Sequence, residues 1–434
     1  MCGIAGFIDF RCRDSDETLR ELVGRMVETL RHRGPDSGGV WSDAAAGIAM
    51  GHRRLSILDL SPAGHQPMVS RSGRYVLVHN GEIYNYGELR CELEQKAGAV
   101  SFHGHSDTEV MLAAFERWGV QGSLARFNGM FAFALWDRCE RTLYLCRDRL
   151  GEKPLYYGWA GSVFLFGSEL KALRVQPALH AEIDRDALAL YLRYNFIPAP
   201  DSIYRGVMKL PPGALLICNQ HTFHEASPVA YWSLGDVVAR GVTEPFDGSP
   251  EEGQEQLEVL LRDAIRIRMV ADVPLGVFLS GGVDSSTVTA LMQAQSSHAV
   301  RTFTIGLEET NLNEAADAAA VARHLGTEHT ELYATPGEVL SLIPELPGIY
   351  DEPFADSSQI VTLMLCRLAR QHVTVGLSGD GGDEVFGGYN RHVWTSRIWS
   401  RVGWTPRSVR RAMAALARQV SPQEWDKVFR RLTP

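Results

Sequence analysis

The sequence predicts two folded units joined by a polar connector, the second of them a doubly wound α/β sheet. Three observations carry this expectation. At 434 residues the chain is longer than one hydrophobic core ordinarily organises. Beyond residue 250, short apolar runs alternate with helix-length segments, the pattern of a parallel sheet covered on both faces. Two of those runs lead into turns of glycine, serine and aspartate, the place where such a sheet binds its ligand.

The front half opens on Met1-Cys2-Gly3-Ile4-Ala5-Gly6-Phe7, short and apolar as a buried strand is. Leu19, Leu22, Val23, Met26, Val27 and Leu30 recur at helical spacing, which predicts an amphipathic helix over 16–31. Breakers from His32 to Gly39 end it. Strand-like runs follow at 48–57 and 75–85, and the Asn80-Gly81 pair inside the second would ordinarily mark a hairpin turn. Thr108 to Trp118 reads as a helix with Ser106 as cap and Glu109 as its box partner. Strands at 130–136, 142–146, 155–158 and 163–166 follow, and Leu210-Pro211-Pro212-Gly213 breaks the chain. We therefore expect a first unit over 2–215, a connector over 216–250 and a second unit over 251–434. In the second, a helix over 251–270 precedes strands at 277–279, 300–306, 328–333 and 373–377, with helices from Thr287 and over 313–325.

Composition excludes several classes of function. Lys and Arg number 43 against 52 Asp and Glu, a net charge of -9 that disfavours nucleic acid as the main partner. No apolar run is long enough to span a bilayer, and no basic segment followed by an apolar stretch opens the chain. Seven cysteines, odd in number and without a Cys-x-x-Cys pair, read as reduced thiols, so the expected compartment is the cytoplasm. Cys91, Cys139 and Cys146 are expected as buried or half-buried thiols. His103 and His105 lack a third ligand and read as loop residues rather than a metal site.

Two stretches carry chemistry. Ser280-Gly281-Gly282-Val283-Asp284-Ser285-Ser286 lies between the strand ending at Leu279 and a helix, where glycine backbone and serine hydroxyls can donate to one anion. Asp284 beside bound phosphates is repulsive unless a divalent cation lies between, so the loop implies Mg²⁺ on a pyrophosphate. No Gly-Lys-Ser/Thr follows, which separates it from the ordinary nucleotide loop. A second such turn, Ser378-Gly379-Asp380-Gly381-Gly382-Asp383, adds carboxylates suited to a cation or an acid/base step. At the chain's front stands Cys2. Removal of the initiator Met would leave it a free α-amine of pKa about 7.7 to 8.0 beside a thiol of about 8.5, base and nucleophile in one residue.

Cys2-Gly3-Ile4-Ala5-Gly6, Arg33-Gly34-Pro35-Asp36, His52 to Ile57, Asn80 to Asn85 and Ser106 to Glu109 occur in an order that resembles class II glutamine amidotransferases. The resemblance implies an α+β N-terminal-nucleophile fold, a four-layer sandwich of two antiparallel sheets between helices. It implies that Cys2 attacks the glutamine amide, with the Asn80 side chain and Gly81 N–H as oxyanion hole. Arg54, Leu55, Ser56, Ile57, Glu82 and Asp107 would hold the glutamine, Arg54 by its carboxylate. Ion pairing for Arg54 and helix initiation for Asp107 are the competing readings. Arg147 to Tyr157 and Gly167 to Leu173 resemble recurrent segments of the same family and read as scaffold.

The two glycine-rich turns together resemble the synthetase half of glutamine-hydrolysing asparagine synthetases. Leu279 and Ile305 end strands of the parallel sheet and are placed to touch the nucleotide, whose phosphates Ser280, Gly281, Gly282, Asp284, Ser285 and Ser286 are expected to bind, and the likeness implies that Ser378 and Gly379 contact the adenylate. It implies Mg²⁺ at Asp284 and Asp383, and help for ammonia's attack from Asp380, where some members carry Glu. Asp351 to Ser358 would border the acceptor pocket. Glutamine, aspartate and ATP are the expected small-molecule partners, with no nucleic acid or membrane and a homodimer as the expected assembly. Another carboxylate, such as a uronic acid sugar, and a non-catalytic glutamine or nucleotide sensor are the alternatives. Synthetases of this kind continue past the position of Pro434 with a basic residue and an Arg-Val-Pro-Phe stretch, so the second unit is expected to be C-terminally incomplete.

Overall fold

The computed structural model describes residues 1–11, 14–96, 101–221, 225–307, 313–421 and 423–425. The first unit runs β1 (Gly3–Ile8), α1 (Asp16–Glu28), β2 (Ser37–Asp43), β3 (Ile48–Arg54), β4 (Met68–Val69), β5 (Tyr75–Ile83), α2 (Tyr86–Lys96), α3 (Asp107–Leu124), β6 (Gly129–Asp137), β7 (Thr142–Arg147), β8 (Tyr156–Ala160), β9 (Val163–Gly167), α4 (Leu170–Leu173), α5 (Arg185–Tyr194), β10 (Val207–Lys209), β11 (Ala214–Asn219) and β12 (Val229–Ala230). Two antiparallel six-stranded sheets result, in orders β10-β8-β9-β1-β3-β2 and β12-β11-β7-β6-β5-β4.

Strand alternation builds the layers. Ile4 and Ile8 of β1, Ile48 and Met50 of β3 and Val76 and Val78 of β5 meet between the sheets. Ala5 and Phe7 instead face Leu19, Val23 and Met26 of α1, while Tyr75 and Leu77 face Met111 and Phe115 of α3. The expected four-layer sandwich is what forms. β5 runs through Asn80-Gly81 without turning, so the hairpin reading is wrong there; the pair is held in register against Ala132 and Phe131 of β6. Burial on both faces outweighs the turn preference of that dipeptide.

Other local expectations are adjusted. Ser106 does cap α3, but the Glu109 carboxylate accepts from the N–H groups of His103 and Gly104 rather than closing a capping box. Cys146 is buried, whereas Cys91 and Cys139 are exposed. The first sheet pair also outlasts the predicted boundary at 215, because β11 pairs with β7 as far as Asn219 and β12 closes the edge at Ala230. Pro211-Pro212-Gly213 is thus a turn inside the unit.

The second unit follows α6 (Leu234–Thr243) and comprises α7 (Pro250–Arg268), β13 (Leu275–Phe278), α8 (Val283–Ala294), β14 (Arg301–Leu307), α9 (Ala315–Leu325), β15 (Glu328–Ala334), α10 (Pro336–Leu342), α11 (Leu346–Ile349), α12 (Ser358–Arg370), β16 (Val375–Leu377), α13 (Gly382–Phe386), α14 (Asn390–Val402) and α15 (Arg407–Ala417). Ser249 and Glu252 form a full capping box at the start of α7, with Pro250 in its first turn. The sheet is parallel, in order β15-β14-β13-β16. Val277 packs on Ile265 of α7 and Met292 of α8, while Phe303 packs on Ala369 of α12, so helices cover both faces as expected of a doubly wound sheet.

Side chains of the second unit reach into the first. Asp351 accepts from the Lys171 N–H at 2.8 Å and pairs with the Lys171 ammonium at 3.4 Å. Glu352 takes the Ile203 N–H at 2.9 Å and the Lys209 ammonium at 2.6 Å. These carboxylates, expected at the edge of an acceptor pocket, are engaged in docking the two units. Arg268 adds a cation–π contact, its guanidinium 4.6 Å from the ring centre of Tyr84.

Candidate active sites

Strand parity assembles the first site. Cys2 shares the inward-facing parity of Ile4, Arg54 that of Met50, and Asn80 and Glu82 that of Val78, so these side chains gather at one end of the layer between the sheets. Asp107, first residue of α3, closes the group. The cleft is small, with a cavity volume of about 60 Å³, and opens to solvent.

Cys2 is anchored on both sides. Its carbonyl accepts from Arg33 Nε at 2.9 Å, and its sulfur lies 3.4 Å from the Leu55 N–H and 3.6 Å from the Leu55 carbonyl. Burial pushes the thiol above its ordinary pKa, against the pull of the terminal amine, the Leu55 bond and Arg54. The terminal amine, here that of Met1, is pushed down to about 5, mainly by burial and further by Arg33, Lys153 and Arg370. Burial thus favours the neutral form of both groups.

The Asn80 carboxamide is fully buried, and neither its nitrogen nor its oxygen has a hydrogen-bond partner. Buried amides are normally satisfied, so the Asn80 amide at the cleft wall keeps its full capacity to donate and accept. Gly81 beside it has φ +154°, and a Cβ there would collide with the Met130 carbonyl of β6. Only glycine lets the two strands approach this closely. Arg54 is buried, and its guanidinium donates to the carbonyls of Ser61, Leu58 and Asp59. Those bonds orient the group and leave it without a carboxylate partner among the described residues, against the surface ion-pair reading. Asp107 accepts from the Ile83 N–H at 2.9 Å and is itself buried, more than helix initiation requires. Leu55 and Ile57 line the cleft, whereas Ser56 stands outside it with its N–H on the Asp36 carboxylate.

Glu82 has one carboxylate oxygen buried without a partner. Burial, with Asp107 adding repulsion, raises its pKa to about 7 despite Lys153. Between about 4.5 and about 7 the native state then holds a proton that the unfolded chain has released, so stability falls as pH rises through that window, by on the order of 3 kcal/mol in full. Glu82→Gln is expected to raise the thermal midpoint by several degrees at pH 8 and to leave it nearly unchanged at pH 4. An equal shift at both pH values would contradict this assignment.

Lys153 is a site residue that reading the Arg147 to Tyr157 segment as scaffold missed. Its ammonium is buried in the cleft wall, 3.4 Å from Met1 Sδ, with no carboxylate in ion-pair range among the described residues. Burial lowers its pKa. The buried Asp148 carboxylate fixes the approach to it by accepting from the N–H groups of Phe131, Leu150, Glu152 and Lys153. In the sequence Lys153 is one of several charged residues in the turn from Arg147 to Pro154, so no local pattern singled it out.

The second site lies where strand order reverses. From β13 the chain steps outward to β14 and β15 and then crosses back to β16 on the other side, so the crevice falls between β13 and β16. The turns after these two strands are Ser280 to Ser286 and Ser378 to Asp383. They touch: a Cβ on Gly379 would stand 2.8 Å from the Ser285 N–H nitrogen. Gly281 has φ +80° and packs against the start of α9, so no other residue would adopt this turn without strain. The Ser280 and Ser285 hydroxyls meet at 2.9 Å, and Ser285 also accepts from the Ser280 N–H. The Ser286 hydroxyl oxygen is buried without a partner. Asp380 is exposed and accepts from the Ser378 hydroxyl at 3.0 Å.

Leu279 and Ile305 were expected to end strands at the nucleotide. Leu279 lies one residue beyond β13, its side chain packed on Ala318 and Ala322 of α9. β14 continues to Leu307, and Ile305 packs against Ala334, Leu342 and Met364. Both side chains serve the core. Neither the Asp284 nor the Asp383 carboxylate has a hydrogen-bond or ion-pair partner among the described residues, and no group of three His, Cys, Asp or Glu able to hold a metal unaided occurs among them. No helix among the described residues is long and apolar enough to cross a membrane.

Two families match successive parts of the chain. Residues 1–232 match the family described as glutamine amidotransferase domain, and residues 256–433 the family described as asparagine synthase. A protein of Methanocaldococcus jannaschii provisionally named asparagine synthetase (glutamine-hydrolyzing) 2 is 39% identical over 416 residues, covering 91% of this chain and 76% of that one. Asparagine synthetase (glutamine-hydrolyzing) 1 of Bacillus subtilis is 35% identical over 391 residues, 90% of this chain and 59% of its own length. The chain described here thus belongs to the glutamine-hydrolysing asparagine synthetase family, whose members are carbon–nitrogen ligases that use ATP.

Proposed function

We propose that the protein converts aspartate to asparagine with ATP and with ammonia released from glutamine. The observation that carries this reading is the coexistence on one chain of an open Asn80 carboxamide beside Cys2 and of paired glycine-rich turns at the strand-order reversal. In the first step the Cys2 sulfur adds to the glutamine amide carbon while the α-amine, carried by Cys2 once Met1 is removed, takes the thiol proton. Asn80 and the Gly81 N–H receive the oxyanion, ammonia leaves, and water splits the thioester to glutamate. Arg54 answers the substrate carboxylate, and Glu82 and Asp107 its ammonium.

In the second step an aspartate carboxylate oxygen attacks the α-phosphorus of ATP, expelling pyrophosphate. Ammonia then adds to the acyl carbon and AMP departs. Ser280 to Ser286 donate to the phosphates, Ser378 and Gly379 flank the adenylate, and Asp380 takes a proton from the attacking nitrogen. Asp284 and Asp383, carboxylates without partners among the described residues, fit a divalent cation shared with phosphate oxygens. Mg²⁺ held there would neutralise the pyrophosphate as it leaves. Because protonation in bulk water would remove ammonia's lone pair, docking of the two units supports a protected transfer between them.

The test is release of AMP and pyrophosphate from ATP and glutamine across a panel of carboxylates. Aspartate is expected to give asparagine, AMP and pyrophosphate in equal amounts. AMP formation only with another carboxylate, such as a uronic acid sugar, would keep the chemistry and overturn the acceptor. Ligand binding without AMP from any acceptor would replace the enzyme reading with that of a sensor.

A further inference from the structure

The loop that orients Arg54 is shaped by a residue of the other unit. Leu58, Asp59 and Ser61 supply the carbonyls that receive the Arg54 guanidinium. Asp59, at the centre of that loop, adopts φ +54°, a left-handed conformation unfavourable for a residue with a Cβ, and is fully buried. Such a turn persists only where its surroundings determine it. Part of the determination is local: the Asp59 carboxylate accepts from the Ser61 N–H and hydroxyl and from the His105 N–H at 2.9 Å.

The remainder comes from Asp272, in the segment between α7 and β13. Its N–H donates to the Ile57 carbonyl at 2.9 Å, and its carboxylate accepts from the Asp59 N–H at 2.8 Å, so it brackets the loop from both sides. The same carboxylate oxygen lies 2.8 Å from His105 Nε2. His105 stands two residues before Asp107, a second buried charged residue of the glutamine cleft. One side chain of the second unit therefore grips two of the segments that carry charged groups for the substrate, the loop under Arg54 and the segment leading to Asp107. The His105 bond, followed by the Asp59 N–H, holds the Asp272 carboxyl below the usual carboxylate range, consistent with an ionised grip.

We propose that Asp272 is a positioning residue for glutamine, completing from the synthetase unit a pocket whose substrate contacts all lie in the glutaminase unit. Glutamine affinity then depends on the docked second unit even though no atom of it touches the substrate. Asp272 is also three residues ahead of β13, whose end opens into the pyrophosphate loop, so the same short segment serves both sites. The inference rests on the reading of Arg54 and Asp107 as glutamine contacts.

Steady-state glutaminase kinetics of the whole protein test it. Asp272→Ala is expected to raise KM for glutamine about five- to ten-fold, the loss of charge-assisted bonds by a partly exposed group, while kcat changes less than about two-fold. Asp272→Asn, which keeps an oxygen for the Asp59 N–H, should recover most of that loss, and His105→Ala should reproduce part of it. A general folding defect would lower the apparent kcat with KM unchanged and would not be rescued by Asn, a result that overturns the proposal. Arg54→Lys provides the separate control. If it leaves KM unchanged, the pocket reading itself is wrong. If it raises KM while Asp272→Ala does not, the pocket stands and the role given to Asp272 falls.

Discussion

The Cys2→Ala protein is expected to release no glutamate from glutamine yet to form the amide product undiminished when ammonium salt is supplied. The first half of that result follows from chemistry: without the sulfur no thioester forms, and the open Asn80 donor alone cannot split an amide. Loss of about four orders of magnitude or more in glutaminase turnover is the scale for removing a nucleophile. The second half follows from construction. Cys2 sits at the end of the sandwich, in contact with Leu55, Arg33 and the cleft wall, and it makes no hydrogen bond to the second unit among the described residues. Product formation from ammonia, read by AMP release, should therefore continue. Loss of both activities would contradict the separation of the two sites.

Asp284→Ala is expected to produce the opposite pattern, with pyrophosphate release falling by about 100-fold or more and glutaminase activity retained. The sign of this effect discriminates. If Asp284 were only a helix-start charge beside a nucleotide, removing it would relieve repulsion and leave pyrophosphate release unchanged or faster. A fall means that the carboxylate reaches phosphate through a cation. Asp284 belongs to the first turn of α8 and has no partner among the described residues whose loss could unfold the turn, which is set instead by Ser280, Gly281 and Ser285. Titrating divalent cation into the variant and following pyrophosphate would separate weakened cation binding, recovered at high concentration, from loss of the site.

The sequence by itself determined the two reactive stretches and the alternation of the second unit, because each is a short-range property. A strand, a glycine turn and a helix start follow one another within ten residues from Val277 to Ser286, and the backbone conformation that Gly281 needs is written in its identity. The helix positions of α1 and α3 and most strands were legible for the same reason, since the period of apolar residues depends on neighbours along the chain. The family resemblance supplied the roles of Cys2, Arg54 and Asp107, which periodicity could not.

Only the tertiary structure decided what was made across long separations. Asn80-Gly81 is a turn by composition and a strand by packing, because β6 and the inter-sheet core lie against it. Asp351 and Glu352 are spent on Lys171 and Lys209, partners that no local pattern could name. Lys153 enters the cleft because Asp148 curls the chain around four backbone donors. Asp272 meets Asp59 across 213 residues of sequence. A side chain's neighbours along the chain fix its backbone, but its electrostatic partners are fixed by which surfaces the cores bring together, and those surfaces exist only once both units have folded and docked.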